Sequence, residues 1–169
     1  MECRSISVAP FALYNLASKP GCYSLIINLK QQKNIRVGKL GAALFPKGTY
    51  VYTGSAMNGL GARLRRHRSR KKKLHWHIDY LLALPEARIE RILCYPPAPG
   101  QECRQNQRIA ALAGASVMLR HFGASDCKSG CASHLFFFGS SRFRVANRGG
   151  ARFADRHRRW QYSFPNGTL

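Results

Sequence analysis

The stretch YVYTGSAMNGLGARLRRHRSRKKK, residues 50–73, runs from an aromatic strand through a glycine-marked turn into a segment whose last eleven positions hold eight Lys or Arg. Tyr50 and Tyr52 stand two apart, so an extended backbone puts them on one face. Beyond the turn, Leu60 and Leu64 are four apart, as are Arg63 and His67. A helix beginning near Asn58 therefore turns the leucines to the core and places Arg63 and His67 on a shared face. A strand handing over directly to a basic helix predicts an anion surface at that junction.

The neighbouring segments supply the rest of a small domain. GCYSLIINL (21–29) follows Lys-Pro-Gly and is rich in β-branched and aromatic residues, which predicts a first strand after a turn. IRVGKLGAALF (35–45) continues in extended form, and Pro-Lys-Gly turns it into the strand at 50. LHWHIDYLLAL (74–84) places Ile78, Leu81 and Leu82 at helical spacing before Pro85. ARIERILCY (87–95) predicts a further strand, and ECRQNQRIAALAGA (102–115) a third helix with Ile109, Leu112 and Ala113 facing inward. HLFFF (134–138) closes the series as a strand. Mixed strands and helices joined by hairpin-length connections predict an α+β domain, a small antiparallel sheet flanked by helices.

The chain has 169 residues, enough for one domain: a lead-in at 1–18, the body at 19–141 and a basic extension at 142–169. Lys and Arg number 28 against seven carboxylates, and fifteen of them fall between Glu2 and Asp79 with no acid among them. Such a field attracts polyanions, nucleic acid first among them. No apolar run approaches the roughly eighteen residues of a membrane span, and the N-terminus lacks a signal pattern. The expected location is the cytoplasm, on the nucleoid in a bacterium. Six cysteines in such a setting point to thiols or metal ligands rather than disulfides.

Five ordered motifs resemble the GIY-YIG nuclease superfamily: GCY at 21–23, YTG at 52–54, Arg63 in the helix that follows, Glu102 opening a later helix, and SDC…SHLFFF. The wording KLGAALFPKGTYVYTGSAMNGLGARLRRH with WHIDYLL is similar to a subfamily found alone or fused to endonuclease III-like repair enzymes. The resemblance spans roughly residues 19–140. It implies a GIY-YIG-like fold and a divalent-metal-dependent endonuclease hydrolysing DNA phosphodiester bonds, in repair or in processing branched or damaged DNA. Twenty-eight residues separate Tyr23 from Tyr52, where many relatives have a short hairpin, and this insertion bears on substrate preference.

By that resemblance Tyr23 is the general base or water-orienting group, and Tyr52 borders the site. An ordinary tyrosine ionises near pH ~10, so a phenolate at Tyr23 requires the positive surroundings and the metal to favour it. Arg63 would clamp the scissile phosphate with its planar fork. His67 would touch the nucleophile or leaving group; the bland alternative is a surface histidine. Glu102 would hold Mg²⁺ or Mn²⁺ through hard carboxylate oxygen, with phosphate and water completing the shell; its alternative role is a helix-start carboxylate favoured by the dipole. Asp126 is a second carboxylate for that shell.

Arg65, Arg66, Arg68, Arg70, Lys71, Lys72 and Lys73 would bind the nucleic-acid backbone without reading sequence. DNA is the expected partner with RNA left open, and the resemblance to the fused relatives implies a repair-protein partner. Trp76 reads as core rather than a stacking platform. His77 and Asp79 could form a polar network, although a spacing of two does not share a helical face. Cys103, Cys127, Cys131 and His134 offer a structural Zn²⁺ site, against which stands a spacing unlike standard zinc fingers. The reading weighed against a nuclease is a non-catalytic nucleic-acid-binding module that keeps the scaffold.

Overall fold

A computed structural model describes residues 18–139 and the backbone of 160–162. The strands are β1 (Gly21–Leu29), β2 (Lys33–Arg36), β3 (Ala42–Phe45), β4 (Gly48–Ala56), β5 (Ala87–Tyr95), β6 (Leu135–Phe137) and β7 (Trp160–Tyr162). The helices are α1 (Leu60–Arg68), α2 (His77–Leu82) and α3 (Gln101–Ala110). Four antiparallel strands in the order β6-β4-β1-β5 make the sheet, and β7 adds to the β5 edge. The α+β class, a small antiparallel sheet flanked by helices, is the architecture expected from the sequence. The lead-in before residue 18 and most of the basic extension lie outside the described residues.

Alternation along β1 sorts the two layers. Tyr23, Leu25, Ile27 and Leu29 join Tyr50 and Tyr52 of β4 in one core, covered by Leu60 and Leu64 of α1 and by Ile78, Leu81 and Leu82 of α2. Ile26, Val51, Leu93 and Phe136 form the opposite layer under Ile109 of α3. Each fully buried aliphatic side chain contributes about 1.5–3 kcal/mol, so two covered faces stabilise a sheet of only four main strands. The register sets Tyr23 opposite Gly54 and Leu25 opposite Tyr52. The two tyrosines therefore share a face at neighbouring positions of central strands.

Several boundaries differ from the sequence reading. Residues 35–45 are not one extended run: β2 and β3 pair as a separate two-stranded sheet, divided by a 3₁₀ turn at Gly38–Leu40. Gly38 and Gly41 take φ of 47° and 87°, conformations that break a strand at little cost only for glycine. α3 stops at Ala110, and Leu112, expected to face inward, is 41% exposed; Ala113 is exposed as well. The chain leaves the helix there, towards Gly114 at φ 83°. α2 begins at His77 rather than Leu74, because the Asp79 carboxylate accepts the N–H groups of His75 and Trp76 and holds them outside the helix.

Candidate active site

The strand-to-helix junction gathers four of the expected residues. Tyr23 on β1 is buried, and its hydroxyl shares a 2.7 Å hydrogen bond with Nε2 of His67, itself buried on α1. The Tyr23 and Tyr52 ring centroids are 6.4 Å apart, and the Tyr52 and His67 centroids also 6.4 Å. Arg63, one turn before His67, acts on the Tyr23 hydroxyl through its positive charge. Gly54 makes this crowding possible: a Cβ there would lie 2.6 Å from the Tyr23 hydroxyl and 3.1 Å from the Tyr52 ring. The glycine of YTG is a requirement of space.

The chain's own charges do not by themselves ionise Tyr23. Burial pushes the Tyr23 hydroxyl well above its ordinary ionisation range, the neighbouring Tyr52 adds to this, and the Arg63 charge only partly opposes it. The positive surroundings do not yield a phenolate; desolvation of the charged form wins. Tyr52 is raised for the same reason. His67 is lowered to about 3, first by burial and then by the charge of Lys72, so its ring is neutral at pH 7. Its Nδ1 is buried without a hydrogen-bond partner among the described residues.

Trp76 packs at the rim of the core with one face given to cations. The Arg63 guanidinium carbon lies 3.9 Å from its ring centroid and that of Arg66 4.6 Å. Arg66 continues to the buried Asp79 at 2.7 Å and to the Lys73 carbonyl at 2.8 Å. Asp79 thus anchors the basic loop from beneath. Burial alone would raise its carboxyl, but the N–H groups of Trp76 and His75, with Arg66 and Lys72, hold it below its ordinary value. The polar network suggested by WHIDYLL exists around Asp79. His77 takes no part in those contacts and accepts the Gly123 N–H through Nδ1 at 2.9 Å.

This loop divides the seven basic residues proposed for nucleic acid. The Lys72 side chain is only 2% exposed; it donates to the Arg66 and His67 carbonyls at 3.1 Å and approaches Asp79 at 3.5 Å. Arg70 donates to the Leu84 carbonyl at 2.8 Å. Arg66, Arg70 and Lys72 hold the loop that follows α1, and Lys72 supplies the donor that the last carbonyls of the helix need. Arg65, Arg68, Lys71 and Lys73 stand exposed.

Glu102 opens α3 on the other layer and reaches the end of β4. One carboxylate oxygen accepts from Ser55, the other meets Nδ1 of His134 at 3.0 Å. Burial would raise its carboxyl, yet the hydrogen bonds from His134 and Ser55, with the charges of His134 and Arg63, hold it below the ordinary range. Ser55 was not singled out from sequence, though it stands one residue beyond YTG and its side chain alternates to the α3 layer. Asp126 is exposed, and among the described residues no hydrogen bond or ion pair joins it to Glu102.

Beside Glu102, Cys103, Cys127, Cys131 and His134 come together. Their ligand atoms all lie within 4.8 Å of one another, a group that can hold a metal ion. No disulfide occurs among the described residues. The spacing C-x3-C-x2-H is completed by a cysteine from α3, which is why sequence alone gave it little specificity. No described helix is long and apolar enough to cross a membrane.

A family model described as a domain of unknown function, DUF123, matches residues 22–152, a span that contains Tyr23, Tyr52, Arg63, His67, Glu102 and the cysteine group. No curated protein and no solved structure matches the chain.

Proposed function

We propose that this chain, which belongs to the DUF123 family, is a GIY-YIG-type endonuclease that hydrolyses DNA phosphodiester bonds with the help of a divalent cation. The observation that carries the reading is the convergence on one hydroxyl: Tyr23 bonded to His67, flanked by Tyr52 and within the field of the Arg63 charge. A core tyrosine needs a hydrogen-bond partner, but it does not need an arginine one helical turn from that partner. The pattern GCY, YTG, Arg63, His67 and Glu102 follows the order of the GIY-YIG superfamily.

In this reading Tyr23 works as a neutral phenol. A neutral His67 protonated at Nδ1 accepts the phenol proton at Nε2, which leaves the phenol oxygen free to accept from a water. As that water's oxygen bonds to phosphorus and the ester P–O bond breaks, its proton passes to Tyr23 while the Tyr23 proton passes to His67. Arg63 leaves its Trp76 stack for the phosphate, where its fork meets two oxygens and neutralises developing charge.

The donor set at Glu102 fits a weakly held hard cation. Ser55 and His134 take one site on each oxygen, a carboxylate offers about four, and the Glu102 side chain keeps 27% exposure. Glu102 would hold Mg²⁺ or Mn²⁺, which when bound polarises the phosphate and steadies the leaving oxygen. One carboxylate makes a thin shell, so affinity in the absence of substrate should be low.

The test is cleavage of labelled duplex, single-stranded, flap and junction DNAs in Mg²⁺ and in Mn²⁺, beside Tyr23→Phe and Glu102→Ala. Cleavage by the wild type that both variants lose with DNA binding retained supports the reading. Tight binding with no cleavage of any substrate overturns it in favour of a binding module.

A further inference from the structure

His134 is 3% exposed, and its two ring nitrogens have opposite circumstances. Nδ1 meets the Glu102 carboxylate at 3.0 Å; Nε2 is buried and has no hydrogen-bond partner among the described residues. A buried imidazole nitrogen left without a partner is costly unless something fills it. Three cysteine sulfurs surround this ring, within 4.8 Å of one another and of the ring's ligand atom. Cys103 and Cys127 are 3.5 Å apart, too far for an S–S bond of about 2.05 Å and near the ~3.8 Å edge of a tetrahedron with Zn–S of about 2.3 Å.

We propose that Cys103, Cys127, Cys131 and Nε2 of His134 bind one zinc ion, and that this ion, through the His134 ring, fixes the Glu102 carboxylate at the catalytic surface. Three thiolates and an imidazole select zinc over magnesium by softness and geometry. A carboxylate on the far nitrogen of a ligating histidine sets the tautomer and ring orientation. The ion ties α3 to the irregular segment between α3 and β6, the segment that carries Phe122 into the core. His134 is in this sense a positioning residue for Glu102. The zinc site stands on its own geometry; its catalytic consequence rests on the nuclease reading.

The experiment measures metal content of the full chain, purified under reducing conditions, by atomic emission, with cobalt(II) added to the metal-free protein as a spectroscopic probe. Stoichiometric zinc, with thiolate-to-cobalt charge transfer and the intense visible bands of a tetrahedral site, is expected. A folded, reduced chain that takes up neither ion overturns the site. Glu102→Gln should keep the metal with affinity lowered roughly 10- to 100-fold. His134→Cys should retain zinc through four sulfurs yet lose turnover with little change in KM, because Glu102 loses its partner. Unchanged zinc affinity in the first variant with full turnover in the second overturns the coupling. Stoichiometric zinc in a wild type that cuts no nucleic acid upholds the site and retires the nuclease reading instead.

Discussion

The Tyr23 hydroxyl lies 2.7 Å from Nε2 of His67, and both side chains are withdrawn from solvent. A pair so placed acts as one unit, so its members should not contribute independently. Tyr23→Phe and His67→Gln should each lower single-turnover DNA cleavage by about 10²–10⁴-fold. The double variant should be scarcely worse than either alone. Multiplying losses would mean that the two residues serve separate steps.

The same pair predicts acid sensitivity of the fold. His67 ionises at about 3 in the folded chain, against an ordinary value of 6.5. Between those limits the unfolded chain binds more protons, so stability is fully present above about pH 6.5 and is lost as pH falls towards 3. The slope approaches ~1.4 kcal/mol per pH unit within that window. Urea unfolding at pH 7 and pH 5 should show the loss in wild type and a shallower loss in His67→Gln. Equal slopes would exclude His67 as the responsible group.

Gly54→Ala should destabilise the domain by roughly 1–3 kcal/mol, since the new methyl meets the Tyr23 hydroxyl at 2.6 Å and its ring carbon at 2.8 Å. Combining it with Tyr23→Phe should recover part of that loss, because one of the two clashing atoms is gone. Thermal unfolding of the four proteins closes the cycle; strict additivity would place the strain elsewhere.

The basic loop should separate into two sets. Asp79→Asn should cost about 3–5 kcal/mol, because it leaves Lys72 buried without its counter-charge and weakens the hold on Arg66. Changing Arg65, Lys71 and Lys73 to Ala should leave the unfolding curve nearly unmoved while weakening DNA binding on every sequence and flattening its salt dependence. A salt slope unaltered in that triple variant would remove those three side chains from the interface.

Much of this molecule was legible because local patterns and burial agree. The alternation in GCYSLIINL and in GTYVYTG places Tyr23 and Tyr52 on the same covered face, as their period of two requires. Spacing of four put Arg63 and His67 on one side of α1, and the fold kept them there. What composition could not reveal was the sign of competing long-range effects. Many nearby cations suggested an ionised Tyr23, whereas dehydration outweighs them once the ring is enclosed. Equally, Lys72 and Lys73 look alike in a run of basic residues; only the chain's return past Asp79 buries the first and leaves the second in water. The cysteine group depends on α3 meeting a loop more than twenty residues later, a relation that no local spacing encodes.

The stack of Arg63 on Trp76 also gives the protein an intrinsic optical reporter. Its only other tryptophan is Trp160, so a Trp160→Phe background isolates the emission of the indole beneath the guanidinium. Departure of Arg63 towards a phosphate would change that emission before any bond is cut. Stopped-flow fluorescence could then time the arrival of DNA separately from its cleavage, with no dye attached.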